Sequence, residues 1–383
     1  MHSVESIRRL AIVYPKAIGD FFFALPALHT LRRAFAQAHI TWVVKRKQAP
    51  LAVPQKGLLA DEVLVIGGGT SPWEVRRKLT ALRVDTLLDL AGNDQAGLLL
   101  TGRRGQRFRP HRADCKGLCA LYTPWATAMP RLAAGQHRVD ELLALARFLG
   151  APDPVLSFRI TLPEQAVAAC EALIARHDLR AGVVVAINLG ASRDTKRWPA
   201  EHIQTLAQNL IAQGYRVALT GAQAFAADGD YDRHTIERFT AAGLIDGERC
   251  LDLVTANGLS PALHLQRDAH FLRYSGVPAV VVGCDTGPMH MAGSVGEDAR
   301  NRTVSLFGPT NWGRYAPYDP SRHFPDQPAG QWNRVLALDA PCGPRGAREA
   351  CRCYRRGCPP KSCMRGLTPE RVLAAVTEMA PRP

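Results

Sequence analysis

The stretch Ala279-Val-Val-Val282-Gly283-Cys284-Asp285-Thr286-Gly287-Pro288-Met289-His290 runs from a short apolar strand, through a turn, into a helix. Gly287 lets a backbone come close to a ligand, and Pro288 suits a first helical turn, where its missing N–H costs little. Amides at such a turn can hold an anion such as a diphosphate, and His290, one turn on, can donate to a phosphate oxygen. A capped helix with a structural histidine fits the same residues. The next strand, 303–307, leads into Phe307-Gly308-Pro309-Thr310, a further loop expected to close the same pocket.

Working back along the chain, the pattern repeats. Residues 183–187 are five apolar residues in a row, as in a strand buried on both faces. Gly190, Ala191 and Ser192 follow, then a helix from about Pro199 with Ile203, Leu206, Ala207 and Leu210 on one face and Gly214 at its end. Residues 215–220 form another strand. The first half opens alike: a strand at 10–14, the turn Lys16-Ala-Ile-Gly19-Asp20, and a helix carrying Leu25, Leu28, Leu31 and Phe35, with Pro26 near its start. Strands at 40–44, 63–66 and 86–90 complete that half. Such alternation predicts α/β domains with mainly parallel sheets. A chain of 383 residues exceeds one core. A proline cluster (Pro152, Pro154, Pro163) marks the division. The predicted domains are 1–165 and 166–367, the second with a Cys-rich loop at 342–363, followed by a C-terminal helix at 368–383. Ligands bind at the carboxyl ends of strands in such sheets, and two facing domains make a cleft.

Asp20 has two readings, a capping aspartate or a general base on the cleft floor. Gly190-Ala-Ser192-Arg193-Asp-Thr-Lys196 presents small residues, a hydroxyl and a lysine just before a helix. That suits a phosphate, with Lys196 as a point charge, although the spacing is not that of a Walker loop. A solvated basic turn is the other reading.

The 48 Lys and Arg against 34 Asp and Glu leave a net charge of +14, which favours an anionic partner. Nucleic acid is set aside for want of an aromatic-interleaved or recognised binding motif. No apolar run reaches the ~20 residues of a membrane span, and no leader pattern is read, so a reducing cytoplasmic setting is expected. Of ten cysteines, Cys342, Cys351, Cys353, Cys358 and Cys363 crowd the end of the chain. Four thiols at Cys351, Cys353, Cys358 and Cys363 suggest a structural zinc or iron rather than disulfides, with Cys342 a substitute ligand; free reduced thiols are the alternative.

Several stretches, in order, resemble the heptosyltransferase family of bacterial lipopolysaccharide synthesis (glycosyltransferase family 9). They are IGDFFFALPALHTLRRAF (18–35), LLDLAGN (87–93), HRVDELLALARFLG (137–150), NLGASRDTKRWPAEHI (188–203), RVALTGA (216–222), CDTGPMHMAGSVG (284–296), SLFGPTNWGRYAPY (305–318) and CMRGLTPERVLAAV (363–376). The resemblance implies a GT-B fold of two Rossmann-like doubly wound domains facing across a cleft. It implies inverting transfer from ADP-heptose without a catalytic metal, with acceptor on the first domain and donor on the second. Asp20 would be the base, and Lys196 would also serve catalysis. Ser192, Arg193, Lys196, Asp285, Thr286, Gly287 and His290 would hold the donor. Basic side chains at Arg103, Arg104, Arg107 and Arg109 suit an anionic inner-core glycolipid at the inner-membrane face, where the enzyme would sit peripherally; a protein or natural-product acceptor is the alternative. The chain departs from the family pattern at Cys284, where an asparagine is usual, and after Thr220-Gly221-Ala222, where an acidic residue is expected and Asp228 or Asp230 could stand in.

Overall fold

Strand β1 (Arg9–Val13) is followed at once by α1 (Ile18–Ala34), whose Phe21, Phe22, Leu25, Leu28 and Leu31 are fully buried. Each such side chain contributes roughly 1.5–3 kcal/mol. Phe21 stacks on Trp42 of β2 (His39–Lys45) at 5.2 Å between ring centroids. The computed structural model describes residues 7–101, 105–111, 126–130, 135–221, 229–255, 258–296, 301–321, 330–338, 358 and 361–383. The chain divides into two compact units, Met1–Thr161 and Leu162–Pro383.

In the first unit, the four-residue α2 (Ala49–Ala52) precedes β3 (Glu62–Ile66). Then come α3 (Pro72–Ala81), β4 (Thr86–Asp89), α4 (Asp94–Leu100), β5 (Gln106–Arg109), β6 (Thr127–Ala128) and α5 (Arg138–Phe148). The six strands are parallel in the order β3-β2-β1-β4-β5-β6. In the second unit, α6 (Glu164–Arg176) leads to β7 (Val184–Asn188), α7 (Ala200–Ala212), β8 (Arg216–Thr220), α8 (Gly229–Ala241), β9 (Cys250–Asp252) and α9 (Pro261–Ala269). After these stand β10 (Pro278–Cys284), α10 (Gly287–Gly293), β11 (Arg302–Phe307), α11 (Trp312–Tyr315), β12 (Asn333–Ala337), α12 (Ser362–Arg365) and α13 (Pro369–Met379). This sheet too is parallel, in the order β12-β11-β10-β7-β8-β9.

Counted from the first strand of each unit, both orders are 3-2-1-4-5-6, the doubly wound Rossmann order. The chain thus has the α/β, GT-B type of architecture. The order reverses between β1 and β4 in one unit and between β7 and β10 in the other. Each reversal opens a crevice at the carboxyl ends of those strands, where ligands of such sheets bind.

Two expectations are corrected. Pro26 lies deep inside α1 rather than in its first turn, because the helix starts at Ile18, directly after the strand-end turn. Residues 106–109, whose arginines were expected to meet an anionic acceptor, form a strand. Arg109 is 1% exposed, its Nη1 donating to the Pro110 carbonyl, while half-buried Arg107 donates to the Leu100 carbonyl. Arg103 and Arg104 lie outside the described residues. Among the described residues no helix is long and apolar enough to cross a membrane.

Candidate active site

In the first unit, the turn after β1 carries Asp20 in the first turn of α1. One carboxylate oxygen accepts the Ala17 amide at 3.3 Å, closing the helix start; the other faces the Tyr14 hydroxyl at 3.4 Å. Among the described residues, capping is therefore one of two hydrogen bonds to the Asp20 side chain, and the half-buried carboxylate stands at the β1 end of the crevice. Gln48 braces the turn, donating to the Ala17 carbonyl and accepting the Lys16 amide. On the other side of the crevice, Asp89 ends β4, in register with Val13. Its Oδ1 accepts the Ala91 and Gly92 amides at 2.7 and 3.0 Å, and its Oδ2 is buried without a hydrogen bond. Burial pushes the Asp89 carboxyl up to about 6, against the pull of those amides and of Lys16 and Arg138. Arg138, at the start of α5, donates to the Tyr14 hydroxyl (3.2 Å), to Glu141 (2.8 Å) and to the Leu90 carbonyl (3.0 Å).

In the second unit, the loops after β7 and β10 meet at a buried ion pair. Lys196 Nζ lies 2.5 Å from Asp285 Oδ2, and His290 Nε2 lies 3.3 Å from Asp285 Oδ1. All three side chains are at most 10% exposed. Burial alone would raise the Asp285 carboxyl, but the Lys196 ammonium and the His290 ring outweigh it and hold the group well below the usual carboxylate range. Lys196 ends a 3₁₀ turn (Asp194–Lys196) just before α7, and Ser192 and Arg193 are exposed on the same loop.

The turn at Thr286 is less rich in donors than the sequence suggests. Pro288 has no N–H, and the Met289 and His290 amides return to the Thr286 carbonyl at 3.2 and 3.4 Å. Among the described residues the Thr286 and Gly287 amides make no backbone hydrogen bond. The Thr286 hydroxyl donates to Asn188 Oδ1 at 3.2 Å. His290 is turned onto Asp285, so its expected phosphate contact is shared with a carboxylate. Gly308 serves packing: a Cβ there would stand 2.6 Å from Met364 Sδ on α12.

Thus the structure gathers Lys196, Asp285, Thr286, Gly287 and His290 at one crevice. Sequence reasoning missed Asn188, which ends β7 and ties Thr286 to Thr220 of β8, its Nδ2 donating to the Thr220 hydroxyl at 3.4 Å. It also missed Asp232. That buried carboxylate of α8 fits against Gly190 and Gly221, where a Cβ on either glycine would strike it. Asp228 lies outside the described residues, as does the side chain of Asp230. The glycines at the ends of β7 and β8 were the readable signal, since two close backbone approaches require a neighbour. Tyr14, Asp89 and Arg138 were likewise unread, although Asp89 and Arg138 sit in stretches that carry the family resemblance. Cys284 is a buried thiol pushed up to about 12, chiefly by burial, and so stays neutral. Cys342, Cys351 and Cys353 lie outside the described residues. Cys358 is half-buried, and Cys363 is buried at the start of α12. Among the described residues no three metal-binding side chains come together.

The family model of glycosyltransferase family 9 (heptosyltransferase) matches residues 73–325. The chain is 24% identical to "Lipopolysaccharide heptosyltransferase 1" of Escherichia coli O18:K1:H7, over 86% of this chain and 94% of that protein. Its fold is similar to that of the glycosyl transferase family 9 protein from Veillonella parvula DSM 2008, with a TM-score of 0.71, 19% identity and 97% of each chain covered. It is also similar to E. coli heptosyltransferase WaaC with ADP-2-deoxy-2-fluoro heptose, with a TM-score of 0.59, 21% identity, and 97% and 100% of the two chains covered. The family match spans more than half of the sequence and takes in the Lys196 and Asp285 loops: the chain is a glycosyltransferase and belongs to glycosyltransferase family 9, the heptosyltransferase family.

Proposed function

We propose that the enzyme transfers a heptose from ADP-heptose to a hydroxyl of an anionic acceptor of the lipopolysaccharide inner core, with inversion at the sugar. The relative's name and the ADP-sugar analogue held by the WaaC structure support this choice of reaction and donor. The observation that carries the reading is the dry Lys196–Asp285–His290 cluster at the reversal point of the second sheet.

The steps balance as follows. Asp20 accepts the proton of the acceptor hydroxyl, the oxygen attacks the anomeric carbon, and the bond from that carbon to the ADP phosphate oxygen breaks. ADP leaves with the electron pair. General-base help of this kind is typically worth 10²–10⁴-fold. Charge grows on the leaving diphosphate, and Lys196, fixed by Asp285 and already stripped of most water, attracts it at low dielectric without reorganising. The Thr286 and Gly287 amides add donors, while Ser192 and Arg193 on the neighbouring loop suit the outer phosphate. No metal enters these steps. Arg103, Arg104, Arg107 and Arg109 are proposed for the acceptor side; buried Arg109 serves by shaping β5. The enzyme would act in the cytoplasm, peripherally at the inner-membrane face. A structural zinc or iron is proposed at Cys351, Cys353, Cys358 and Cys363, whose soft thiolates suit either metal.

A panel of nucleotide sugars tests the reading. ADP-heptose should raise the melting temperature most, and its transfer to inner-core acceptor should fall at least a hundredfold in Asp20→Asn with donor binding retained. Transfer at wild-type rate by that variant overturns the assignment of the base.

A further inference from the structure

We infer that Tyr14, fixed by Arg138, is a positioning residue for the Asp20 carboxylate, a role that rests on the reading of Asp20 as base. A guanidinium has only donors, so in the Arg138–Tyr14 contact the Tyr14 oxygen must accept from Nε–H. The single phenolic proton is then directed elsewhere, and Asp20 Oδ1 lies on that side at 3.4 Å. The distance is long for an O–H···O bond, as catalytic contacts often are before substrate tightens them.

Arg138 cannot drift from this duty. Its other nitrogens are committed to Glu141 and the Leu90 carbonyl, its guanidinium lies 5.7 Å from the centre of the Tyr14 ring, and Tyr14 is fully buried. The Ala17 amide on Oδ2 and the Tyr14 hydroxyl on Oδ1 thus hold Asp20 from two sides. Each oxygen keeps a lone pair for the acceptor's proton, which passes to Asp20 while Tyr14 keeps its own.

Among the described residues, the charged and titratable groups linked to this arrangement include Lys16 on the turn, Asp89 at the end of β4, and Arg138 and Glu141 on α5. Asp89 titrates near 6 and would add its own limb to a pH profile, so pH work belongs in the Asp89→Asn background.

The test uses the full-length enzyme with donor and acceptor at saturation. Tyr14→Phe keeps the ring and removes the hydroxyl. It should lower kcat about tenfold, the scale of one hydrogen bond to a charged group, leave both KM values within about twofold, and move the acid limb of kcat upward, because the carboxylate loses a donor. Arg138→Lys, which keeps the charge but not the fork, should do the same. The Tyr14→Phe/Arg138→Lys double variant should be no worse than either single one, and Tyr14→Phe should add nothing to Asp20→Asn. Losses that multiply, or a kcat unchanged in Tyr14→Phe, overturn the inference. Should Asp20→Asn be fully active, the underlying reading fails instead, so the two failures are distinct.

Discussion

Replacing Lys196 with methionine removes one end of the ion pair at the heart of the second unit while nearly preserving its volume. Asp285 is 6% exposed and its oxygens face Lys196 at 2.5 Å and His290 at 3.3 Å. Without the lysine the carboxylate stays buried with only the histidine beside it. Stripping one partner from such a pair costs about 3–5 kcal/mol, because the remaining charge is dried but uncompensated. For a unit of this size about 1 kcal/mol corresponds to roughly 2–4 °C, so the calorimetric transition of the second unit should fall by roughly 10 °C. Adding Asp285→Asn removes the stranded charge, and the double variant should recover most of the loss. The pH dependence has a definite sign. In the wild type the depressed Asp285 group keeps its contribution throughout pH 5–8, since that is lost only as pH falls through its low folded value. In Lys196→Met that value rises, so acidification lets the carboxyl take a proton and the gap to wild type narrows from pH 8 to pH 5. Additive effects of the two substitutions, or a gap that widens on acidification, would refute the assignment of Lys196 and Asp285 as a coupled buried pair.

Asp89→Asn should erase a pH-dependent weakness of the first unit. The buried carboxyl titrates near 6 when folded, against the ordinary 3.8 of an aspartate, so the unfolded chain ionises first as pH rises, and wild type should lose up to about 3 kcal/mol relative to the variant between pH 4 and 6 and nothing further above that; chemical denaturation at each pH reads this directly. Gly221→Ala would bring a Cβ to 2.5 Å from Asp232 Oδ2, and should destabilise the second unit by about 1–3 kcal/mol in the same assay, with the loss eased in Gly221→Ala/Asp232→Ala. Elemental analysis of purified protein should find about one zinc or iron per chain, lost in Cys358→Ser; metal-free wild-type protein means that the thiols are simply reduced.

The strands flanking the two crevices were legible because a doubly buried strand writes itself as an apolar run. Residues 10–14, 86–90, 183–187 and 279–282 all stand within β1, β4, β7 and β10 or a residue beyond. Short strands away from the sheet centres carry a weaker signature: β5, one place in from the edge, reads Gln-Arg-Phe-Arg and looks like a basic loop, and β9, at the edge, has only three residues. Lys196 and Asp285 could each be named, yet their pairing could not, since 89 residues separate them and only the adjacency of β7 and β10 brings them together. Arg138 was harder still. An arginine at a helix start reads as a solvated charge, and its burial follows from Tyr14, Leu90 and Glu141 supplying acceptors from three separate segments.

The two units solve opposite electrostatic problems with one sheet order. On the proposed reading, a carboxylate at the first reversal point must stay a usable base. Asp20 is left half-buried and held by neutral donors, an amide and a phenol, while the full cation Arg138 is kept one group away and tied to Glu141. A guanidinium placed directly on Asp20 would stabilise the anion and blunt its basicity. At the second reversal point, on the same reading, a cation must meet a diphosphate. There the carboxylate is placed directly on Lys196, which makes a buried ammonium tolerable before the donor arrives. Direct pairing in one crevice and pairing through a hydroxyl in the other therefore follow from what each charge has to do. It also sets a sharp expectation: Tyr14→Arg, which puts a cation against Asp20, should shift the acid limb of kcat downward, opposite to Tyr14→Phe. Equal shifts in the same direction would show that the hydroxyl does not mediate between Arg138 and the base.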